Sequence, residues 1–323
     1  MLEATDNELC LIALSDTEGI GPATMAALRR LARKRAEPLH RVLALAPEAL
    51  ADEAGLTALA AAALPGVGDP RLRGRAVLEE AARTGTRVVC AGRPDYPGRL
   101  TALLGEQAPP VLFLRGECGL LDAPCVAVVG SRRPSRWAQE AARSLAGQLA
   151  QDGVTIVSGG AEGIDTTAHA AALLTGATAF VPPMGLARFD WRAPAGRRLL
   201  RGGAGWCAVS QFPLQSGWRT AQALLRNRTI VALSEAVVAF EPRDSGGTWH
   251  SAINALRMHK PLFVVCGSQR GGKGRGVTRL VRLGAAALDP VRMPDAGAFR
   301  RLVAEYRTPP VPEQAALFDS TGP

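Results

Sequence analysis

Apolar and polar positions follow two different patterns along this chain. Up to about residue 85 the apolar residues recur at helical spacing, as in "TMAALRRLARK" and "EALADEAGLTALAAAAL", which predicts a small all-helical domain. From "TRVVCAG" to about residue 290, short β-rich runs alternate with helical segments such as Trp137–Gln151. That alternation is typical of βαβ units, so the second pattern predicts an α/β domain with a doubly wound, mostly parallel sheet.

The pattern also gives boundaries. The predicted domains are 1–85 and 86–290, and the proline-rich, polar end "RTPPVPEQAALFDSTGP" predicts a C-terminal tail within 291–323. The predicted strands of the second domain are Val111–Leu114, Val126–Val129, Val154–Val157, Ala179–Pro182, Ala236–Phe240 and Leu262–Val265.

A glycine turn in the helical region has two interpretations. Gly19-Ile20-Gly21-Pro22 stands between two helical runs with the spacing of a helix-hairpin-helix element, and Leu64–Gly68 repeats the theme more faintly. In such an element, backbone N–H groups and a helix N-terminus can meet a DNA phosphate. A tight turn between packed helices explains the same residues, so DNA contact here stays open.

Two predicted strands end in turns rich in glycine and serine. The first is followed by Gly130, Ser131 and Arg132, and the second by Ser158, Gly159, Gly160, Gly163 and the helix-capping Asp165. Ligands of open α/β sheets bind at this carboxyl edge, and glycines let a phosphate approach backbone donors. Tight packing of strand against helix is the alternative explanation. The dinucleotide fingerprint GxGxxG is absent, and no acidic residue ends "ATAFVPP" to bind a ribose.

Two later stretches strengthen the prediction of an anion site. Arg226 and Arg228 flank Asn227 just before an apolar segment, and Ser245, Gly246 and Gly247 form another turn that leads into a helix. A solvated surface could explain the arginines alone, but less easily beside three such turns in one domain. We therefore predict that these residues converge on one phosphate-binding site.

Catalytic and metal-binding patterns find little support. The four histidines are isolated, and His169, four residues after Asp165, is better explained as a packed or capping residue than as a base. The stretch "GSQRGGKG" (267–274) resembles the phosphate-binding loop of ATPases, but Gly274 stands where a Mg²⁺-binding hydroxyl is needed. The sequence predicts no catalytic residue, no cofactor and no metal.

The composition favours a polyanion as the binding partner. The 323 residues carry a net charge of +9, although high-GC coding also enriches arginine. The six cysteines have no metal-ligand spacing and are predicted to be reduced thiols of a cytoplasmic protein. No apolar run reaches the roughly 20 residues of a membrane span, and the acidic start lacks the basic region of a secretory signal.

Several of these motifs, in this order, resemble the DNA-processing family DprA, also called Smf. They are Gly130-Ser131-Arg132, Ser158 to Asp165 with His169, the lead-in "DYPGRLTALLGEQAPPVLFLRG", and the stretches "RNRTIVALS" and "SGGTWHSAINAL", which together span about 90–288. The resemblance implies an extended Rossmann-like domain with a SAM or helix-hairpin-helix-like N-terminal domain. It also implies a homodimer that binds single-stranded DNA and loads the recombinase RecA during natural transformation.

The chain departs from the family pattern in three places. The usual acidic "SExP" is Ser210-Gln211-Phe212-Pro213, a tyrosine-proline-asparagine neighbourhood is replaced by "DWRAPAGRRLL", and no winged-helix counterpart follows residue 307. The first two departures concern details of the pocket.

The predicted function is sequence-tolerant binding of single-stranded DNA without catalysis. The 15 aromatic residues are few, which limits base stacking. One alternative is a Rossmann-like nucleoside-monophosphate phosphoribohydrolase, but "DSGGTWHSAIN" has no glutamate after its glycines, as that class requires. Another alternative is an interaction scaffold with a decayed pocket.

Overall fold

The structure, a computed structural model, describes residues 4–201, 205–265, 267 and 274–306. The chain divides into two compact units. The first comprises Met1–Gly116, Pro183–Asp190 and Val209–Arg219, and the second Glu117–Pro182, Trp191–Ala208 and Thr220–Pro323. None of the helices in the described ranges is both long and apolar enough to cross a membrane.

The first unit is mainly helical, as the sequence pattern predicts for its first 85 residues. An antiparallel pair of strands, β1 (Arg87–Cys90) and β2 (Val111–Gly116), follows the helices and pairs Cys90 with Val111. The helices are α1 (Asp6–Ser15), α2 (Pro22–Arg35), α3 (Leu39–Leu43), α4 (Pro47–Ala54), α5 (Ala58–Ala63), α6 (Pro70–Arg83) and α7 (Gly98–Leu104).

The two glycine turns of this unit lie side by side. Arg73 of α6 donates hydrogen bonds to the carbonyl oxygens of Gly66 (2.8 Å) and Asp16 (3.0 Å) and so holds both turns. The first turn carries Asp16 and Glu18, and Asp69 caps α6 after the second by accepting from two backbone N–H groups. These carboxylates disfavour a DNA phosphate at the turns. The left-handed backbone of Gly19 (φ 83°) and Gly68 (φ 64°) accounts for glycine at these two positions.

The second unit alternates strands and helices. Its strands are β3 (Cys125–Gly130), β4 (Thr155–Ser158), β5 (Thr178–Phe180), β6 (Trp206–Ser210), β7 (Ala236–Phe240), β8 (Leu262–Val265) and β9 (Ala286–Leu288). Its helices are α8 (Arg136–Gln151), α9 (Ile164–Thr175), α10 (Pro194–Arg201), α11 (Thr220–Leu233), α12 (Gly247–Arg257), α13 (Arg275–Arg282) and α14 (Ala296–Glu305).

The sheet confirms the predicted α/β class. The seven strands run β6-β5-β4-β3-β7-β8-β9, and every neighbouring pair is parallel. The chain leaves β3 towards β4 on one side, whereas β7 pairs with β3 on the other, so the strand order reverses between β3 and β7. In sheets of this kind the crevice at the carboxyl ends of the two strands beside such a reversal is a ligand site.

Small residues bring the helices close to the sheet. Along α8, Ala138, Ala142, Leu145 and Leu149 follow helical spacing and are fully buried in one cluster that also includes residues of α9 and α14. A Cβ added to Gly176, at the end of α9, would lie 2.1 Å from the carbonyl oxygen of Ala150. Only glycine permits this approach, which seats α9 against α8.

The structure differs from the sequence pattern at four elements, of which the first is strand Arg87–Cys90, absent from the predicted strands. Strands Trp206–Ser210 and Ala286–Leu288 were not predicted, because alanine, cysteine and serine give them little strand propensity and pairing with β5 and β8 decides their conformation. Residues 296–305 of the expected tail form α14, whose Phe299 is 1% exposed and lies 5.1 Å, ring centre to ring centre, from Phe263. Residues 307–323 lie outside the described part of the chain.

Candidate functional site

A cavity of about 420 Å³ opens where the strand order reverses, at the carboxyl ends of β3 and β7. Three connections and the helices α9, α11 and α12 supply its walls. The lining residues are Val129, Gly130, Ser131, Arg132, Arg133, Ala161, Asp165, Asn227, Ile230, Glu241, Arg243, Ser245, Gly246, Gly247, Thr248 and Ser251.

The β3 wall is a tight turn that carries two exposed arginines. A Cβ on Gly130 would lie 2.6 Å from Cγ1 of Ile164, so glycine is what lets α9 begin directly over the strand end. The backbone N–H of Ser131 donates to the carbonyl oxygen of Phe240 (3.3 Å), and its hydroxyl accepts from the N–H of Arg133 (3.1 Å). This turn fixes the backbone while Arg132 and Arg133 extend into solvent at the cavity.

The β7 wall leads into the N-terminus of α12. Glu241 adopts a left-handed backbone (φ 48°), and its carboxylate accepts a hydrogen bond from the N–H of Ser135 (3.0 Å). Gly246 (φ 88°) then starts α12, whose first N–H groups have no partner within the helix. Asn227 donates its amide to the carbonyl oxygen of Gly247 (3.2 Å), which ties α11 to this helix start.

Arg226 and Asp165 are buried beside the cavity and interact through their opposite charges. Arg226 and Asp165 are each 6% exposed, and Arg226 donates to the carbonyl oxygen of Val181. Burial raises the pKa of Asp165. The charge of Arg226 and hydrogen bonds from three backbone N–H groups lower this pKa, but by less than burial raises it. Burial likewise lowers the pKa of Arg226 to about 10, against the charge of Asp165. The guanidinium therefore stays protonated at neutral pH and compensates the buried carboxylate.

His169 is a packed residue rather than a base. It is 6% exposed, and its Nδ1 lies 2.7 Å from the hydroxyl of Thr178. That hydroxyl donates to the carbonyl oxygen of Ile156 (2.7 Å), so it accepts from Nδ1–H of the imidazole. Burial, together with the charge of Arg226, lowers the pKa of His169 to about 3, and the ring is neutral.

The lowered pKa of His169 predicts an acid-sensitive fold. The pKa of a histidine in an unfolded chain is about 6.5, whereas that of His169 in the folded chain is about 3. Between these two pH values the imidazole is protonated in the unfolded chain and neutral in the folded chain. The contribution of His169 to the free energy of unfolding is full above pH 6.5 and falls by up to about 1.4 kcal/mol per pH unit below it. Urea unfolding measures the free energy of unfolding at pH 7.5 and at pH 5.0. The decrease between the two is expected to be about 2 kcal/mol smaller in His169→Gln than in the unchanged chain. Equal losses would contradict this.

The structure brings together eight residues of the predicted site. They come from the turns after β3 and before α12 and from the helices α9, α11 and α12, which the fold gathers at one edge of the sheet. They are Gly130, Ser131, Arg132, Asp165, Asn227, Ser245, Gly246 and Gly247.

The turn after β4 departs from the prediction, because its residues pack instead of lining the cavity. Ser158 is fully buried and donates its hydroxyl to the carbonyl oxygen of Val128 (2.6 Å). A Cβ on Gly159 would lie 1.9 Å from a guanidinium nitrogen of Arg226, and one on Gly160 (φ +73°) 2.0 Å from the ring of Phe180. A Cβ on Gly163 (φ +91°) would lie 2.4 Å from the carbonyl oxygen of Ser131. Here the packing alternative is the better explanation.

The arginines of "RNR" also differ from the prediction, because they belong to helix α11. Two residues apart, side chains on a helix point roughly 200° away from each other, so both cannot face one cavity. Asn227 lines the cavity, whereas Arg226 is buried beneath it. Arg228 faces α12, where its charge adds to burial in lowering the pKa of Arg257.

Sequence reasoning missed several lining residues, of which Arg133, Glu241 and Arg243 carry charge. Each of them directly follows β3 or β7, so the criterion that selected Arg132 could have found them. No group of histidine, cysteine, aspartate and glutamate in the part of the chain that the structure describes could hold a metal ion. Residues 268–273 of the ATPase-like stretch lie outside that part.

Comparison with known proteins gives the family. A family model described as DNA recombination-mediator protein A matches residues 87–293, which is more than half of the chain and includes every residue of the cavity. The chain belongs to this family. Membership confirms the resemblance found in the sequence motifs and supports a DNA-processing role in recombination.

Individual relatives agree with this assignment. Protein Smf of Synechocystis is 28% identical over 299 residues, covering 88% of this chain and 71% of that protein. Protein Smf of Escherichia coli is 35% identical over 194 residues, covering 59% of this chain and 50% of that protein.

Two solved structures are similar as well. DNA processing protein A from Streptococcus pneumoniae superposes with a TM-score of 0.69 at 24% identity, covering 95% of this chain and 99% of that one, which supports the fold. The Helicobacter pylori protein, described for its single-stranded DNA binding mode, has a TM-score of 0.57 at 27% identity and covers 69% and 97%.

Proposed function

We propose that this chain binds single-stranded DNA in the cavity at the β3–β7 reversal and acts as a recombination mediator without catalysing a reaction. One observation carries the proposal. Three exposed arginines, Arg132, Arg133 and Arg243, surround a cavity whose floor consists of tight turns and the start of α12. Guanidinium groups and backbone N–H groups are the donors that proteins use for phosphate.

The distribution of charge supports the same site. The second unit contains 22 Lys and Arg residues against 14 Asp and Glu, whereas the first contains 16 against 15. Nearly all of the net charge of +9 therefore belongs to the unit with the cavity. An excess of this sign attracts a polyanion to that unit before any specific contact forms.

Roles for the individual residues follow from their positions. Arg132, Arg133 and Arg243 would contact phosphate oxygens, while the turn Ser245–Gly247 would supply backbone donors and clearance. The Ser131 hydroxyl would be a further donor, and Gly130 would hold the end of β3 against α9. Asp165 and Glu241 would hold the walls of the cavity in place. Asp165 accepts hydrogen bonds from backbone N–H groups of two turns, and Glu241 accepts one from Ser135 at the start of α8. Asn227 would keep α12 in place through Gly247.

The cavity suits a single strand better than a duplex. A concave site of about 420 Å³ admits one flexible backbone segment, whereas the backbone of a duplex is held at the surface of a wide, stiff cylinder. The described lining includes no aromatic side chain on which bases could stack. We therefore expect sequence-tolerant binding dominated by phosphate.

Binding measurements test this proposal. A gel-shift titration is expected to show tighter binding to single-stranded than to double-stranded oligonucleotides of equal length, with little dependence on sequence. Counterion release predicts that the affinity for single strands falls roughly ten-fold or more between low and moderate salt. Affinity that stays flat with salt, or a preference for duplex, would refute the phosphate-binding role.

The phosphoribohydrolase alternative has one observation in its favour. Glu241 places a carboxylate in the cavity ahead of the glycines, although none follows them in the sequence. The carboxylate already accepts a hydrogen bond from Ser135, which favours a structural role. Release of free base from a nucleoside monophosphate, lost in Glu241→Gln, would establish the enzyme instead, and steady phosphate release from ATP would establish an ATPase.

The wider biological role is proposed on family resemblance. We propose a homodimer that protects incoming DNA and loads RecA in natural transformation, in the cytoplasm, where unpaired thiols such as Cys10 and Cys90 persist. Light scattering at micromolar concentration tests the dimer. The rate of RecA assembly on protein-coated single strands, with and without this chain, tests the loading role.

A further inference from the structure

The segment from Ser245 to Leu288 contains no acidic residue. It is 44 residues long and carries seven Lys and Arg, whereas the chain's overall frequency of 29 Asp and Glu in 323 residues would place about four in it. High-GC coding does not explain this, because it enriches arginine without removing aspartate or glutamate. The segment begins at the wall of the cavity and includes α12, β8, α13 and β9.

Helix α13 exposes three arginines of this segment to solvent. Arg275, Arg279 and Arg282 are exposed and follow each other at i, i+4 and i+7, which places them on one face of the helix. The opposite face, Gly276, Val277 and Leu280, is buried. In the part of the chain that the structure describes, none of the three arginines forms an ion pair.

Helix α13 adjoins the cavity directly. A Cβ added to Gly276 would lie 2.3 Å from the backbone carbonyl of Arg243, so the first turn of the helix rests on a residue that lines the cavity. The guanidinium of Arg279 lies 5.0 Å from the ring centre of Trp249, on α12, which orients it beside the same wall. Arg243, Arg275, Arg279 and Arg282 thus continue one basic surface from the cavity outwards.

We propose that the exposed face of α13 guides the single strand away from the cavity, so that Arg275, Arg279 and Arg282 bind the phosphates that follow the segment held there. The inference rests on the proposed function. The charge of this face indicates what binds to it. Three arginines in a row, with no carboxylate in the surrounding segment, are complementary to the evenly spaced negative charges of a nucleic-acid backbone. The eight residues of α13 span about 12 Å, enough for about three or four phosphates at the spacing of a B-form strand.

Oligonucleotide length separates this surface from the cavity. The triple variant R275Q/R279Q/R282Q is expected to bind an oligothymidine of about 3 nucleotides with unchanged affinity, because a strand that short can occupy the cavity without extending along α13. Its affinity for an oligothymidine of about 20 nucleotides is expected to fall about ten-fold or more. Its salt dependence for the longer strand should weaken by a slope of about 2, since about 0.7 counterions per phosphate contact are no longer released.

A matched triple variant controls for total charge. R143Q/R197Q/R301Q removes the same charge from exposed positions on α8, α10 and α14 and is expected to leave binding of both lengths within about two-fold. Equal losses in both triple variants, or no loss for the longer strand in R275Q/R279Q/R282Q, would overturn the path along α13. If the unchanged chain did not bind the strand of about 20 nucleotides, the proposed function itself would be wrong. Failure of the proposed function can therefore be distinguished from failure of the path along α13.

Discussion

Replacing Arg132 with alanine is expected to weaken binding of single-stranded DNA about ten-fold or more. Arg132 is exposed at the end of β3 and lines the cavity, while its backbone is fixed by the turn through Ser131. A hydrogen bond between a guanidinium and a phosphate contributes about 1–3 kcal/mol, which corresponds to a factor of roughly ten to a hundred in affinity. Fluorescence anisotropy with a labelled oligothymidine measures the loss.

Charge reversal at two walls sharpens this test. Arg132→Glu together with Arg243→Glu is expected to abolish binding while the thermal melt stays nearly unchanged, because both side chains are exposed. Arg143→Glu is the control, since Arg143 is exposed on α8 and does not line the cavity. Should the control lose as much affinity as Arg132→Ala, attraction to the chain would be diffuse and the cavity would not be the binding site.

Replacing Arg226 with methionine is expected to destabilise the fold by about 3–5 kcal/mol. The change removes the guanidinium that compensates Asp165 in a buried site and that donates to the carbonyl oxygen of Val181. Removing one of two opposite buried charges leaves the other uncompensated, which is the costly case. Urea unfolding of the purified variant measures the loss of free energy.

A double-mutant cycle distinguishes the charge interaction between Arg226 and Asp165 from general packing. Asp165→Asn in the background of Arg226→Met removes the unpaired charge, so the double variant is expected to be more stable than the sum of the two single changes predicts. Arg133→Met, at an exposed position, is expected to leave stability within about 0.5 kcal/mol. If Arg226→Met kept full stability and lost DNA binding, Arg226 would contact the phosphate directly, as the sequence pattern first indicated.

Part of the site was predictable because strand ends in a parallel sheet share one edge. Gly130, Ser131, Arg132 and the turn Ser245–Gly247 follow strands that the apolar pattern identifies, and they do line one cavity. Arg133 and Arg243 met the same criterion and could have been selected with them. Arg228 could not be excluded, because its direction depends on whether "RNR" lies on a helix or before a strand, and the apolar pattern there fits both.

From the sequence alone we could infer the α/β class, the helical start of the chain, the family and the positions of the glycine turns. Spacing and local propensity are properties of neighbours along the chain, so no tertiary information was needed for them. The role of each turn depended on the residues that the fold places beside it. A glycine is needed equally where a ligand approaches the backbone and where another part of the protein does. Gly159, Gly160 and Gly163 are covered by Arg226, Phe180 and Ser131, whereas nothing lies within 4 Å of the Cβ position of Gly246. The space beside a backbone is set by residues distant in sequence, which a local pattern does not contain.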